Sequence, residues 1–515
     1  MGYLHPLLII IFIVSLLFNY LYYISKKTPT DIVNDMGIGY NLGNLFDSYS
    51  IIEEIKTPDE QITLWGNSVP KKQLFNFLKK SGFKTIRFPV TWKHFMDESG
   101  KVNPLWMSRV KEVVKWIIDA NMYCIINVHN DVKAGNWLSE GMASKNKYMY
   151  LWEQIANEFK DFDDEYLLFE SMNVGDYWID GNYDYKTLFN LTQAFVDSVR
   201  NSGGKNKERL LVLSGANKDI SLTCSPNYIM PKDPSNKLAI SVHYYSPPNF
   251  SLEPDKNPWT YIMDLEVYEV PSLKKWGDEG HYNDMINYFE ILKRYYADKG
   301  IPVIFTETGV LTEELKDINS IRNYLYALFT LTLDYNGFMA CLWDTSNRSI
   351  GDMNFINRDI NQWYDETIKN NFKKISKGKY VKLTDYFIYS YSKSISTADT
   401  YGNMMINLGN KKVVKIIFNV FINTLNYSDI QFAITSNDKY GSWIGEVYSL
   451  GEAKKEYDGS YTFTINVKDK EYYDHVQTEI WEGKEFITFN YLSVEFNEKE
   501  ISINYEAYKS ALLNI

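Results

Sequence analysis

Short apolar runs alternate with longer amphipathic stretches from about residue 30 to residue 376. The apolar runs have the length and the β-branched content of buried strands, and the stretches between them repeat apolar positions with the period of a helix. The predicted strands are Ile38–Leu42, Thr85–Phe88, Tyr123–Val128, Leu167–Met172, Leu210–Leu213, Leu238–Val242, Val303–Thr306 and Phe338–Trp343. The predicted helices include Lys71–Lys80, Pro104–Ala120, Tyr148–Lys160, Tyr185–Asn201, Asp284–Lys299 and Asn319–Asp334. This alternation predicts an α/β fold, a parallel (β/α)8 TIM barrel over residues 30–376.

Polar or aromatic side chains stand at or just after the ends of seven predicted strands. In a barrel of this kind the chemistry is carried by the rim at the carboxyl ends of the strands. One such residue would be explained by a hydrogen bond to its own loop, but seven at equivalent positions indicate a site. They are Asn41, Arg87, His129, Asn173, His243, Glu307 and Trp343.

The character of the chain changes after residue 377. Several β-rich runs, such as Val413–Phe421 and Tyr461–Val467, are separated by turn signals such as Asp458-Gly459. They predict a separate antiparallel β-sandwich over residues 377–515. Its aromatic residues form either a sugar-stacking face or part of a core, and the sequence leaves both open: Tyr440, Trp443, Tyr448 and Trp481.

The first 27 residues are predicted to be a signal peptide or a membrane anchor. The segment is almost purely apolar from Leu7 to Phe18 and weakly so to Ile24, but no small-x-small cleavage site follows. Either device favours the secretory route and a secreted or membrane-anchored extracellular protein. Lys26-Lys27 favours a cytoplasmic side after the segment, so the topology stays open.

The amino-acid composition limits the classes of ligand and cofactor that the chain is expected to bind. The net charge of −11 argues against a nucleic-acid partner. The 41 Tyr and 13 Trp residues suit sugar rings, although an AT-rich genome gives a similar composition. Cys124, Cys224 and Cys341 have no metal-ligand spacing and are interpreted as small core residues, and no metal or organic cofactor is implied.

Glu307 is the strongest catalytic candidate. It directly follows the apolar run Pro302–Phe305 and Thr306, and a carboxylate there is costly to bury unless it is hydrogen-bonded or used. As a nucleophile it would attack the anomeric carbon of a sugar and hold the sugar covalently. The alternative is a structural carboxylate that caps a loop.

Several neighbours in the pattern would support that nucleophile. Arg87 would pair with the carboxylate and keep it ionised, and Tyr245 would donate its hydroxyl to the same group. Asn173 would hydrogen-bond the 2-hydroxyl of the sugar. The remaining candidates would position the substrate or form the floor under the sugar ring: His129, His243 and Trp343.

Together these residues resemble glycoside hydrolase family 5, the cellulase or endoglucanase family, over most of residues 36–376. Gly39-Tyr40-Asn41-Leu42-Gly43-Asn44 is similar to the family's Gly-Trp-Asn-Leu-Gly-Asn, and the segments around Arg87, His129 and Glu307 fall in the family's order. The resemblance implies a (β/α)8 barrel and a retaining mechanism with two carboxylates. It also implies a β-linked plant polysaccharide or oligosaccharide as substrate, such as cellulose, β-glucan or xyloglucan. The family's site residues carry over to Arg87, His129, Asn173, His243, Tyr245, Glu307 and Trp343.

Two positions depart from the family pattern. The family reads Asn-Glu-Pro, with the general acid/base glutamate in the middle, where this chain reads Asn173-Val174-Gly175. Asn130 stands where relatives often have a second histidine. Valine can neither give a proton to the leaving oxygen nor activate water, so strongly impaired hydrolysis is expected.

Two nearby carboxylates are candidates to replace the missing acid. Glu170 lies four residues earlier on the same strand, well below the rim, whereas Asp176 lies on the following loop and would reach further. The leading hypothesis is therefore a family-5 hydrolase that is slow or uses a displaced acid. The alternative is a non-catalytic polysaccharide-binding protein on a degenerate cellulase fold, and a weaker one is a structural protein whose barrel binds another protein.

Overall fold

The computed structural model describes residues 27–253, 274–312, 316–346, 352–397, 405–422, 431–437, 443–449, 453–456, 460–466, 472–482 and 487–513. A closed barrel of eight strands lies at its centre, and every neighbouring pair in it is parallel. In chain order the strands are β1 Ile38–Asn41, β2 Thr85–Phe88, β3 Tyr123–Asn127, β4 Leu167–Glu170, a short hairpin of β5 Trp178–Ile179 and β6 Asn182–Tyr183 outside the barrel, β7 Leu211–Ser214, β8 Leu238–Tyr244, β9 Val303–Thr308 and β10 Phe338–Leu342. The predicted (β/α)8 barrel is confirmed.

Helices fill most of the connections between the barrel strands. In chain order they are α1 Pro29–Met36, α2 Pro58–Thr63, α3 Gln73–Lys80, α4 Pro104–Asp119, α5 Lys145–Phe159, α6 Tyr185–Asn201, α7 Ile220–Thr223, α8 Pro248–Ser251, α9 Glu279–Tyr295, α10 Ile318–Asp334 and α11 Glu366–Ile375. A short pair of strands, β11 Ile356–Asn357 and β12 Gln362–Trp363, precedes α11.

Local sequence signals set several helix starts. Thr28 caps α1 in a capping box with Asp31, and Pro29 occupies the first turn. Asn103 accepts a hydrogen bond from the Leu105 N–H at the start of α4, again with a proline in the first turn. α1 and α11 were not predicted, because neither lies between two of the apolar strand runs.

The barrel interior is apolar at one end and polar at the other. At the amino ends of the strands, Ile32, Val33 and Met36 of α1 join a buried cluster with strand residues such as Ile125 and Ile304. Burying an aliphatic side chain of this size contributes about 1.5–3 kcal/mol, so this end supplies stability. Toward the carboxyl ends the buried side chains become polar: Asn41, Arg87, Asn127, Glu170 and Glu307.

Strand β4 ends earlier than predicted. The sequence extended it to Met172, but the regular strand stops at Glu170. The backbone is still held beyond that point, because Ser171 donates its N–H to the Val212 carbonyl and Asn173 donates its N–H to the Val128 carbonyl. Val174 therefore begins the loop that leaves the barrel rim.

The remaining described segments form a second compact unit, Phe387–Asn504, while Tyr505–Ile515 belongs with the barrel unit Met1–Tyr386. Its strands pair antiparallel in one connected arrangement: β13 Phe387–Thr397, β14 Met405–Ile422, β15 Gln431–Asn437, β16 Trp443–Ser449, β17 Lys454–Lys455, β18 Tyr461–Asn466, β19 Tyr472–Glu482 and β20 Ile487–Ile503. The antiparallel character is as predicted, and the two-layer sandwich stays a prediction. The units divide after Tyr386, later than the predicted boundary at residue 376, and the last helix, α12 Tyr505–Leu512, was not predicted.

Two further predictions concern the cysteines and the first residues. Cys124, Cys224 and Cys341 are buried free thiols, as expected for core residues. The apolar segment 7–24 lies outside the described residues. Among the residues described, none of the helices has both the length and the apolar content that a membrane span requires.

Candidate active site

Arg87 is the centre of the polar end of the barrel. It stands on β2, is fully buried, and uses its guanidinium donors on four side chains. Two bonds go to the Glu170 carboxylate at 2.7 and 3.2 Å, and one goes to Glu307 Oε1 at 2.9 Å. The other two go to the amide oxygens of Asn41 at 3.0 Å and Asn173 at 2.9 Å. Because the planar fork is fully satisfied, these side chains are fixed in position relative to one another.

Glu307 lies within β9 near its carboxyl end, and only 8% of the residue is exposed. Its second oxygen accepts a hydrogen bond from the Tyr245 hydroxyl at 3.2 Å and lies 3.5 Å from Nδ1 of His243. Burial raises the pKa of Glu307, and Arg87 opposes that rise. Burial also keeps the pKa of Tyr245 well above its usual value, so the hydroxyl stays protonated and can donate.

The two histidines of the site are held neutral. Burial and the positive charges of Arg87 and Lys218 hold the pKa of both His129 and His243 well below the usual range. The ring nitrogens of His129 lie 3.2 Å from the amide nitrogens of Asn127 and Asn173. Nε2 of His243 is buried and has no hydrogen-bond partner among the described residues.

Trp343 forms a flat wall beside these groups. It follows β10, is half-buried, and stacks on the His129 ring with centroids 5.7 Å apart and planes 9° from parallel. Gly43 permits this position, because a Cβ there would lie 2.9 Å from the indole ring. An aromatic plane at the mouth of a polar cleft offers a stacking surface for an apolar ring face.

The loop after β4 places the hydrocarbon side chain of Val174 at the same rim of the barrel. Val174 is half-buried and directly follows Asn173, which bonds Arg87. Tyr183 of the short hairpin donates its hydroxyl to the Gly175 carbonyl at 2.6 Å, which fixes the next residue of the loop. Asp176 is exposed, and its carboxylate accepts a hydrogen bond from the Trp178 indole N–H at 2.7 Å.

Asn41 and Asn130 serve the framework of the rim. The Asn41 amide nitrogen donates to the backbone carbonyls of Thr306 and Cys341, which ties β1 to β9 and β10. Asn130 donates to the Asp47 carbonyl at 2.9 Å and so holds one loop against another. The other predicted site residues form one connected cluster around Arg87 and Glu307: His129, Asn173, His243, Tyr245 and Trp343.

Sequence reasoning considered Glu170 only as a substitute acid, placed well below the rim, and did not single out Lys218. Glu170 is fully buried and accepts bonds from Arg87 and from Lys218 Nζ, the latter at 2.5 Å. Burial alone would raise the pKa of Glu170, but Arg87 and Lys218 more than offset it and hold the pKa below its usual value. Lys218 follows a strand of ordinary apolar sequence, and no short-range pattern marks a lysine whose side chain returns into the barrel.

Two more buried carboxyls hold the surrounding loops. Asp47 accepts bonds from the backbone N–H groups of Asn44 and Leu45, and burial raises its pKa to about 6. Asp131 accepts from the Trp92 backbone and the Trp137 indole, and burial raises its pKa to about 6 as well. Among the described residues no group of three or more His, Cys, Asp or Glu side chains is arranged to hold a metal ion.

Comparison with known proteins places this geometry in a family context. The family model described as cellulase, glycosyl hydrolase family 5, matches residues 48–349. Endoglucanase A of Clostridium longisporum is 30% identical over 361 residues, which are 67% of this chain and 65% of that protein. The chain therefore spans about two thirds of that relative's length.

Two solved structures are similar to the barrel unit. A GH5-4 broad-specificity endoglucanase from an uncultured bovine rumen ciliate is 55% identical, with a TM-score of 0.64, and the match covers 68% of this chain and 99% of that one. A GH5 xyloglucan-specific endo-β-1,4-glucanase from a metagenomic library, solved in complex with cellotriose, is 28% identical with a TM-score of 0.56, and the match covers 66% and 97% of the two chains.

Proposed function

This chain belongs to glycosyl hydrolase family 5, and we propose that it is a β-glucan hydrolase scaffold whose hydrolysis is strongly impaired at one step. Glu307 is the nucleophile of a retaining mechanism, and Val174 occupies the position of the family's general acid/base glutamate. The observation that carries the proposal is the contrast at the rim. Glu307 is held by Arg87 and Tyr245, while the loop after β4 presents a valine.

The surroundings of Glu307 suit nucleophilic attack. The Arg87 guanidinium favours the ionised carboxylate, and the Tyr245 hydroxyl orients its second oxygen. Attack on the anomeric carbon would break the glycosidic bond and leave a covalent glycosyl-enzyme. Asn173, fixed by Arg87, supports a contact with the 2-hydroxyl of the sugar, and Trp343 supports stacking under the ring.

The proposed mechanism lacks a group that protonates the departing sugar and later activates water. A sugar alkoxide needs a proton as it leaves, and water needs a base when it attacks the glycosyl-enzyme. General acid–base catalysis contributes roughly 10²–10⁴ in rate, and valine supplies none of it. We therefore expect hydrolysis of unactivated glucan to be slower by at least about a hundredfold than with a glutamate at this position.

Neighbouring carboxyls support the same conclusion, because each is already engaged. Glu170 is fully buried between Arg87 and Lys218, which favour its ionised form. Asp176 is exposed and accepts the Trp178 indole N–H. Asp47 and Asp131 accept bonds that hold their own loops, so neither presents a proton to the cleft.

The substrate we propose is a β-linked glucan or a fragment of one. The names of the relatives support it: an endoglucanase, a broad-specificity endoglucanase and a xyloglucan-specific glucanase bound to cellotriose. The stacked Trp343 supports a sugar ring in the cleft of this chain.

A second candidate function is a polysaccharide-binding protein that does no chemistry. The retained lining of the cleft favours it as well, since binding needs Trp343, Asn173 and the histidines but not an acid.

We also propose entry into the secretory route, on the apolar segment 7–24. N-terminal sequencing of the exported chain tests that proposal, since cleavage near residue 27 or retention in membranes supports it, and a cytoplasmic chain contradicts it.

The deciding experiment compares the full chain with Val174→Glu. Reducing-sugar release from soluble β-glucan is expected to rise by at least about a hundredfold in the variant. On an aryl cellobioside with an acidic phenol the gain in kcat/KM is expected to be much smaller, because kcat/KM reports the step in which the phenol leaves and that leaving group needs little protonation. Equal activity of the two proteins on glucan would contradict the missing-acid proposal.

Calorimetry with cello-oligosaccharides and xyloglucan oligosaccharides separates the two candidate functions from a protein-binding role. Binding together with slow turnover supports the impaired hydrolase. Binding without detectable turnover of even the aryl cellobioside supports the polysaccharide-binding protein. Absence of oligosaccharide binding would contradict both.

A further inference from the structure

Lys218 is a buried cation that the proposed reaction does not use. Its residue is 2% exposed, and its ammonium donates to Glu170 Oε1 at 2.5 Å and to the Ser241 hydroxyl. Glu170 lies on β4 and Ser241 on β8, the two barrel neighbours of β7, and Lys218 follows β7. The side chain therefore returns from the loop into the barrel interior, under the cleft.

The backbone that places this side chain is strained. Asn217 has φ of 50° and Lys218 has φ of 56°, so two consecutive residues other than glycine adopt the left-handed region. Each such residue is energetically unfavourable and persists only where the surroundings hold it. The Asn217 N–H bonds the Tyr183 hydroxyl, and the Lys218 N–H bonds the Gly215 carbonyl. These two bonds hold the turn in the conformation in which the ammonium reaches Glu170 and Ser241.

Charge counting shows what this lysine changes. The polar end of the barrel holds two buried carboxylates, Glu170 and Glu307, and Arg87 bonds both. Arg87 alone would share one positive charge between them, and Glu170 takes two of its bonds. Lys218 adds the second cation, directly on Glu170, so that the positive and negative charges balance.

We propose that Lys218 is a positioning residue for Glu307, acting through Glu170: by neutralising Glu170 it leaves the charge of Arg87 free to hold Glu307 ionised. The catalytic meaning of this inference rests on the proposed role of Glu307 as nucleophile. The electrostatic relation between the groups does not depend on that role.

The surrounding groups agree with this relation. The charge of Glu170 raises the pKa of Glu307, whereas Lys218 and Arg87 lower it. Burial lowers the pKa of Lys218 to about 8 against the pull of Glu170, so the ammonium is mostly charged at neutral pH. The other titratable groups that face Glu307 are His129, His243 and Tyr245, and burial favours the neutral form of each.

The test titrates the Glu307 carboxyl directly, by infrared difference spectroscopy of each protein against its Glu307→Gln counterpart. In Lys218→Met the titration midpoint is expected to move up by about one pH unit, the size that a lost neighbouring charge gives. Lys218→Arg keeps the charge and is expected to stay near the wild type. Glu170→Gln is expected to move the midpoint down, and the double variant Glu170→Gln/Lys218→Met is expected to return to or below the wild-type value.

A purely structural ion pair gives a different result. The melting temperature of Lys218→Met would then fall while the titration midpoint of the Glu307 carboxyl stayed unchanged. That result overturns the proposal. If Lys218→Met does not fold, Glu170→Gln decides, because an unchanged or higher midpoint in that variant overturns the proposal as well.

Kinetics on the aryl cellobioside separate this inference from the proposed function. With Glu307 as nucleophile, kcat/KM on the acidic limb is expected to fall about tenfold in Lys218→Met at a fixed pH, and its plateau is expected to change much less. If the midpoint of Glu307 moves but no protein turns the substrate over, the positioning relation holds and the proposed hydrolase fails.

Discussion

The two sides of the cleft are built in different ways. At the end of β9, Glu307 is tied through Arg87 to Glu170, Asn41 and Asn173, and its second oxygen is bonded by Tyr245. At the end of β4, Val174 is a half-buried hydrocarbon on a loop that has already left the regular strand. The Glu307 side is a network of hydrogen-bonded charges, whereas the Val174 side is a single hydrocarbon side chain.

This difference supports the proposal that the nucleophile is kept while the acid on the other side is replaced. Removing Glu307 would leave the buried Arg87 with an unbalanced charge, so that carboxylate contributes to folding as well as to the proposed chemistry. In the described structure no buried charge depends on the residue at position 174, so an acid there can be replaced without disturbing the barrel. Selection for folding alone would therefore preserve the nucleophile side.

The largest expected effect is the loss of the nucleophile. Azide is anionic at neutral pH and attacks a glycosyl-enzyme without a base, so it should accelerate turnover of the aryl cellobioside and give a β-glycosyl azide. Glu307→Gln should lower that azide-dependent rate by at least about a thousandfold. Chromatography of the products checks both statements, and formation of the β-glycosyl azide that survives in Glu307→Gln would contradict the assignment of the nucleophile.

The next effect concerns the shape of the pH profile. Burial raises the pKa of Glu307, and attack requires the ionised carboxylate, so wild-type kcat/KM on the aryl substrate should rise with pH through that raised pKa. It should then stay level up to the pKa of Lys218, about 8. Val174→Glu should add a descending limb at higher pH, because the new carboxyl must be protonated to act.

Val174→Gln is the matched control for that profile. Glutamine has the shape of the acid but does not ionise in this range, so it should add no descending limb and no hundredfold gain on glucan. A descending limb in the wild type below the pKa of Lys218 would show that another acid already serves the cleft.

A third effect is on stability. Arg87→Met leaves Glu170 and Glu307 without their shared cation, and breaking a buried pair in this way should lower the free energy of unfolding of the barrel by about 3–5 kcal/mol. Arg109→Met, which removes partly exposed contacts to Asp59 and Glu112, should cost no more than about 1 kcal/mol. Denaturant unfolding of both variants checks the difference, and similar costs would show that the Arg87 network adds no stability.

The smallest expected effect tests the displaced acid. Asp176 is engaged by Trp178 on an exposed hairpin, so Asp176→Asn should change glucan hydrolysis by no more than about twofold, whereas loss of a working acid would cost at least about 10². Reducing-sugar assays on the wild type and the variant decide this. A hundredfold loss would assign the acid to Asp176 and move the active carboxyl beyond position 174.

The barrel was predictable because each of its strands is a separate apolar run, and seven of the eight carry a polar or aromatic residue at the same end. β2 agrees with the prediction at both ends, and α6 does too. The family resemblance, now supported by the matching family model, supplied the order of the site residues. Arg87, Glu307 and Tyr245 meet as expected because parallel strands bring their carboxyl ends to one rim.

The structural features that could not be predicted from the sequence depend on contacts between distant segments. The inward position of the Lys218 side chain is apparent only in the three-dimensional structure, because it depends on a left-handed turn and on a partner on another strand. Asn130 was noted in the sequence only because relatives often have a second histidine there, and its contact with the backbone carbonyl of Asp47 is apparent only in the structure. The end of β4 at Glu170 likewise follows from pairing with neighbouring strands, which periodicity along one strand does not report.

The last helix, α12, has a consequence for any attempt to divide the chain. Tyr508 is fully buried beside Tyr282 and Tyr386, and the Tyr505 hydroxyl bonds the Gly277 carbonyl, all within the barrel unit. The antiparallel unit is thus an insertion whose two ends both lead back to the same domain. A truncation after Tyr386 would strip an aromatic plug from the barrel, whereas an internal excision that rejoins residue 386 to residue 505 would keep it.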